Sequence, residues 1–189
     1  RGTEDLLSRR RPLCLGAAVC RMSVKVVSAS VLWLSVAMSA QAQSSLADRI
    51  QAGDRKAALA LIAQGADVNQ AQPDGTTPLH WAVYRVDREL VTALLRKGAR
   101  AQVVNRYGSS PLAEAARVAN VELVAMLLEA GADANVGNED GQTPLMLAAR
   151  TGNLAVAKQL VEHGADVNAR EHFRDQSALM WAAAEGHAD

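Results

Sequence analysis

From about residue 44 onward, apolar residues arrive in short bursts at helical spacing, and the bursts repeat. "TPLHWAVYR" (77–85), "SPLAEAARV" (110–118) and "TPLMLAART" (143–151) begin 33 residues apart. Each burst predicts a helix. Thr77, Ser110 and Thr143 supply a hydroxyl to cap free amides, and Pro78, Pro111 and Pro144 occupy the first turn. A second apolar stripe follows Asp54, Asp87, Asn120 and Asn153, again at intervals of 33, and each of these residues suits an N-cap. That second helix should end at Gly65, Gly98, Gly131 and Gly164, the residue type that adopts a left-handed conformation after a helix C-terminus. The columns Leu61, Leu94, Leu127, Leu160 and Ile62, Leu95, Leu128, Val161 lie on one face of it and should meet neighbouring units. In the first helix, Ala82, Ala115, Ala148 and Ala182 form a column of small residues that permits close helix approach.

A fixed period in this range predicts a stacked repeat architecture. A second signature runs in the same register: "GADVN" at 65–69, "GARAQ" at 98–102, "GADAN" at 131–135 and "GADVN" at 164–168. Together with the Thr-Pro-Leu-His start at Thr77–His80, these motifs resemble ankyrin repeats. The resemblance covers 44–189 and implies an all-α solenoid of helix–turn–helix pairs joined by β-hairpin-like loops. Its units would run about 44–76, 77–109, 110–142 and 143–176, with a partial one over 177–189, in a domain beginning near residue 43.

Departures from the family pattern carry expectations of their own. Only His80 occupies the motif's His position, where Ala113, Met146 and Met180 stand elsewhere, so the inter-repeat hydrogen bonding implied for that His is available once. Arg100 and Gln102 replace Asp and Asn and should loosen the second repeat's loop. One extra residue between Gly164 and Ser177 makes "EHFRDQ" a longer loop. The first unit reads as a lid, with Asp48 and Arg49 where the next repeat has Trp81 and Ala82. At the other end, Leu179 to Ala183 call for a second helix after His187. The expectation is a C-terminally truncated domain followed by further repeats or a cap.

The N-terminal region differs in kind. "MSVKVVSASVLWLSVAMSAQAQSS" from Met22 joins a short basic start at Lys25, an apolar run from Val26 to Met38, and small residues at Ala40 and Ala42. This pattern predicts a signal peptide over 22–42 cleaved after Ala42, hence a secreted or periplasmic protein of bacterial type with no membrane segment in its mature form. Its apolar run falls short of the ~20 residues a spanning helix needs. Residues 1–21 then precede the natural start and read as an untranslated or non-native upstream segment; a twin-arginine export signal at "SRRRPLCLGAAV" is the rival reading.

Charge sharpens this division. The formal net charge is zero, yet residues 1–42 hold six Lys/Arg against Glu4 and Asp5, leaving fourteen basic against eighteen acidic residues in the body. A mildly acidic body has no electrostatic reason to bind nucleic acid or an anionic membrane. Cys14 and Cys20 both precede residue 43, so the body has neither a disulfide framework nor a thiolate nucleophile.

Little in the body suggests catalysis. His163 and His172 have no metal-ligand spacing, phosphate loops and nucleophile elbows are lacking, and carboxylates are dispersed. No catalytic residue, cofactor or metal is therefore expected. Binding is better motivated. The resemblance places variable first-helix positions and loop tips on one concave surface, where Trp81, Tyr84, Arg85, Glu114, Arg117, Leu147 and Trp181 would meet Arg106, Tyr107, Asn138, Glu139 and Phe173. Trp, Tyr and Arg dominate interface hot spots. The expectation is a monomeric, non-catalytic scaffold that binds a protein partner there. The alternative is a regulatory or targeting region of a larger secreted enzyme whose catalytic domain lies beyond Asp189.

Overall fold

The computed structural model describes residues 45–187; the expected signal segment and the residues before it lie outside this range. Nine helices and no strand occur among the described residues. They come in pairs: α1 (Leu46–Ala52) with α2 (Arg55–Ala63), α3 (Pro78–Tyr84) with α4 (Arg88–Arg96), α5 (Pro111–Arg117) with α6 (Val121–Glu129), and α7 (Pro144–Thr151) with α8 (Leu154–Glu162). The ninth, α9 (Ala178–Ala184), is a further first helix.

The expected caps close these helices. The side chains of Asp54, Asp87, Asn120 and Asn153 accept from the N–H groups of Ala57, Leu90, Leu123 and Val156 at 3.0–3.1 Å. Each such bond satisfies an otherwise orphaned amide and is worth about 1 kcal/mol. Ser110 and Thr143 cap in the same way. Thr77 departs, because its hydroxyl lies against the ring of His80. Gly65, Gly98, Gly131 and Gly164 all take positive φ after the second helices, as expected.

In the stack, each first helix packs against the first helices before and after it, and each second helix against its own row. The first-helix row is the more closely packed of the two, since Ala82, Ala115 and Ala148 are fully buried between neighbours. The first helices form one face of the stack, here termed inner, and the second helices the outer. Leu94, Leu127 and Leu160 form the buried spine of the second helices, while Leu61 is half-buried. The adjoining column holds less well: Ile62 and Leu128 are buried, Leu95 is half-buried and Val161 is exposed. Val161 joins Leu154, Val167 and Leu179 along an exposed apolar groove beside α8 and α9.

Loop signatures become bridges between repeats. Asn69 donates to the Gly98 carbonyl and accepts from the Arg100 N–H, and Asn135 does the same with Gly164 and Asp166. The loosening expected at Arg100 and Gln102 is partial. Gln102 is one methylene longer and still donates to the Gly131 carbonyl at 2.6 Å. What the second repeat lacks is the local turn in which Asp67, Asp133 and Asp166 each accept from the N–H two residues on.

The turn between paired helices shows a feature with no counterpart in the sequence reading. Gly53, Val86, Ala119, Gly152 and Gly186 share one register position, and all have positive φ, 81°, 55°, 54°, 69° and 79° respectively. Three repeats use glycine there; two force a side chain into the left-handed region.

Candidate functional site

On the inner face, the side chains converge around Trp81. Its indole Nε1–H donates to Gln72 Oε1 at 2.7 Å, and the Gln72 amide donates in turn to Asp48 Oδ1 at 2.7 Å and Gln51 Oε1 at 2.9 Å. Trp81 is thus anchored to the preceding repeat through one side chain. Tyr84, one helical turn on, meets it edge-to-face with ring centroids 5.8 Å apart, and is 55% exposed. Arg117 of the next repeat lies over the Tyr84 ring at 5.9 Å. Glu114 fixes that arginine, accepting from Nε at 3.0 Å and from an η-nitrogen at 2.6 Å, and is itself held by the Ser109 hydroxyl.

At the far end of the row, Trp181 is half-buried with Arg150 5.6 Å above its ring. Among the described residues the buried Trp181 Nε1 finds no hydrogen-bond partner. The register explains the contrast with Trp81. Gln72 is followed at matching loop positions by Asn105, Asn138 and Glu171, and Glu171 spends its carboxylate inside its own loop.

Two expected face residues sit differently. Leu147 is only 9% exposed and belongs to the core. Its helix is flanked on both sides, by α5 and α9, and a leucine is too short to emerge where Trp81 or Glu114 can. Arg85 turns back to donate to the Gln51 carbonyl at the end of α1 and packs on Gly53, so it ties the first two repeats together.

The loop tips form a second tier. A matching backbone bond spans each loop, from the N–H of Gln72 to Thr76, Asn105 to Ser109, Asn138 to Gln142 and Glu171 to Gln176. The last span locates the extra residue. Asn105 and Asn138 each accept two loop N–H groups with one amide oxygen. In the longer loop Glu171 accepts three, from Phe173 at 2.6 Å, Arg174 at 2.7 Å and Gln176 at 3.2 Å. The longer side chain spans the longer loop. Burial pushes the Glu171 carboxyl up, but these three donors outweigh it and hold it below its ordinary value.

Thus Asn138 is an internal brace, while Arg106, Tyr107, Glu139 and Phe173 are exposed at the tips. Phe173 is 81% exposed with Arg174 over its ring. Successive tips touch: Arg106 N–H donates to the Asp74 carbonyl at 2.8 Å, and His172 N–H to Asp140 at 2.7 Å. A side chain on Gly108 would collide with the Asn138 backbone, so this glycine permits the close approach.

Two carboxylates near the Trp81 cluster are stabilised as anions. Asp48 is lowered by its bonds to Gln72 and Ser45, and Asp74 by the Thr76 N–H. His163 and His172 each lie against a backbone carbonyl, of Gln159 and Glu139. Among the described residues no three His, Cys, Asp or Glu side chains gather as a metal site would require. No described helix is long and apolar enough to cross a membrane.

Asp48, Gln72 and Glu171 were not anticipated as site residues. Register places Asp48 in the Trp81 column, 33 residues before it, where the sequence reads as a polar lid and not as a binding position. The bracing by Gln72 and Glu171 depends on side-chain reach and leaves no such mark.

Compared with known proteins, residues 46–138 and 122–189 match the family model described as ankyrin repeats (3 copies). No curated protein matches the chain.

Proposed function

The chain belongs to the ankyrin-repeat family, and from that premise we propose that it is a non-catalytic scaffold whose inner face and loop tips bind a protein partner. Ankyrin repeats generally mediate protein–protein interaction. The observation carrying the reading is the braced cluster of Trp81, Tyr84 and Arg117, in which hydrogen bonds and ring contacts from three successive repeats hold large side chains at the surface. Groups already ordered before association cost less entropy to bind. Tyr107 and Phe173 extend the surface along the tips.

The test is chemical cross-linking of the full chain in its native extract, comparing wild type with Trp81→Ala/Tyr84→Ala/Tyr107→Ala. A specific cross-linked species that disappears in the variant, with the helical circular dichroism retained, supports the reading. A species that persists unchanged places the binding surface elsewhere. The signal-like segment ending at Ala42 supports export of the repeats; a mature N-terminus at Gln43 in protein recovered from the cell envelope is the corresponding test.

A further inference from the structure

The inner face also carries information about which partner groups it accepts. Position 81 is occupied in successive first helices by Asp48, Trp81, Glu114, Leu147 and, after the one-residue insertion, Trp181. Trp81 therefore sits between two carboxylates at equivalent places on the helices either side. Asp48 is joined to it through Gln72, and Glu114 through Arg117 and Tyr84. Over three of the other four aromatic rings of this region the chain supplies its own cation, Arg117 over Tyr84, Arg150 over Trp181 and Arg174 over Phe173, and Tyr107 stands apart at a loop tip. Among the described residues no cation of this chain lies over Trp81.

Indole is the best aromatic surface for a cation, and flanking carboxylates strengthen the attraction. Asp48 is exposed, and Glu114 retains partial exposure beside its arginine. The wider body is acidic by four charges, fourteen basic residues against eighteen, which favours the approach of a basic segment. We infer that the row Asp48–Trp81–Glu114 receives a basic side chain, Lys or Arg, of the protein partner. The cation packs on the indole, with Asp48, which no cation of this chain pairs among the described residues, as its main counter-charge and Glu114, already paired with Arg117, as the lesser one. Tyr84 stands perpendicular as the wall of the site, kept in place by Arg117. This inference deepens the protein-binding reading above and rests on it.

The test uses the full chain and two fluorescein-labelled nine-residue peptides, identical except that three Lys in one are three Glu in the other. Affinity is read by fluorescence anisotropy at low salt. The Lys peptide is expected to bind and the Glu peptide to bind at least tenfold more weakly. Asp48→Asn/Glu114→Gln should weaken the Lys peptide about tenfold, and Glu114→Gln alone should weaken it by a smaller factor while leaving intact the reciprocal bonds between Ser45 and Asp48 that cap α1. Trp81→Phe should weaken it, whereas Glu129→Gln, which removes one charge at the exposed end of the outer-row helix α6, should not.

Equal binding of both peptides, no binding of either, or indifference to the carboxylate variants would overturn the inference. Cross-linking separates the two levels of the reading. If the partner is lost with the Trp81/Tyr84/Tyr107 variant but kept with Asp48→Asn/Glu114→Gln, the inner face still binds protein and only the cation site fails. If it is kept with both, both readings fall.

Discussion

His80 Nε2 lies 3.0 Å from the carbonyl oxygen of Ser109, the residue before the N-cap of the next repeat's first helix. A carbonyl only accepts, so Nε2 carries the hydrogen and Nδ1 is the acceptor. Nδ1 takes the Thr77 N–H at 3.2 Å and the Thr77 hydroxyl at 2.8 Å. The ring is therefore a neutral bridge between two repeats, 3% exposed.

That geometry predicts a pH dependence. Burial lowers the His80 pKa from its ordinary 6.5, opposed by the Ser109 carbonyl and by the charges of Glu114 and Asp74. Above pH 6.5 the ring is neutral whether the chain is folded or not, and the stability is fully present. As pH falls below 6.5 the unfolded chain takes up a proton that the folded one refuses, so stability drops by up to about 1.4 kcal/mol per pH unit until the folded pKa is passed. Urea unfolding at pH 7.5 and pH 5.5 should show this loss in wild type and a smaller one in His80→Asn. Asp48, Asp74 and Glu171 have pKa values below the usual carboxylate range, so their contributions are lost only at lower pH.

Val86 takes φ 55° where Gly53 and Gly152 stand in other repeats. A left-handed conformation costs a β-branched residue about 1–2 kcal/mol, and the half-exposed valine side chain loses little packing on removal. Replacing it by glycine relieves the strain, though the unfolded chain gains freedom worth roughly 0.5–1 kcal/mol. Val86→Gly should stabilise by about 1 kcal/mol, and Ala119→Gly by less. Chemical denaturation midpoints measure both; a lower midpoint for Val86→Gly would mean the turn is not strained.

Leu127 is fully buried at the centre of the second-helix spine. Leu127→Ala should cost about 2–5 kcal/mol. Each repeat is stabilised by its neighbours, so amide exchange should quicken in α4 and α8 as well as in α6. Faster exchange confined to α6 would contradict nearest-neighbour coupling.

Glu171→Ala removes the acceptor for three loop amides. The Phe173, Arg174 and Gln176 amides should exchange faster by hydrogen–deuterium mass spectrometry, while α7 and α8 keep their protection. Glu171→Gln retains an acceptor oxygen and should fall between. If Phe173 contributes to partner binding as proposed, the Ala variant weakens it through disorder of the tip and not through a lost contact.

The helical frame was legible because its signals are local and repeated. An N-cap such as Asn120 and a terminating residue such as Gly131 act within a turn of their own position, and a period of 33 residues states them several times over. The inner face was legible only as a set of columns. Leu147 shares a column with Trp81 yet ends in the core, because side-chain length decides which member emerges. Arg85 reads as a surface cation yet serves the end of α1. Val86 and Ala119 gave no warning through residue type, since neither resembles a turn residue; only alignment with Gly53 and Gly152 exposes them. Glu171 could be placed in the longer loop, but its three bonds follow from reach, which spacing alone does not encode.

The unequal packing of the two helix rows also gives the stack a mechanical character. It is a leaf spring with a stiff inner leaf and a compliant outer one, and its softest point is the join of the second and third repeats. There the contact between α4 and α6 is the sparsest in the outer row, and Gln102 makes only half of the bridge that Asn69 and Asn135 make. A load along the stack is carried across that join by the inner leaf. Glu114 and Arg117 stand on its far side, and Trp81 and Tyr84 on its near side. Tension would therefore pull the carboxylate and its arginine away from the two rings before it unfolded any helix, so the proposed binding surface would open at that join.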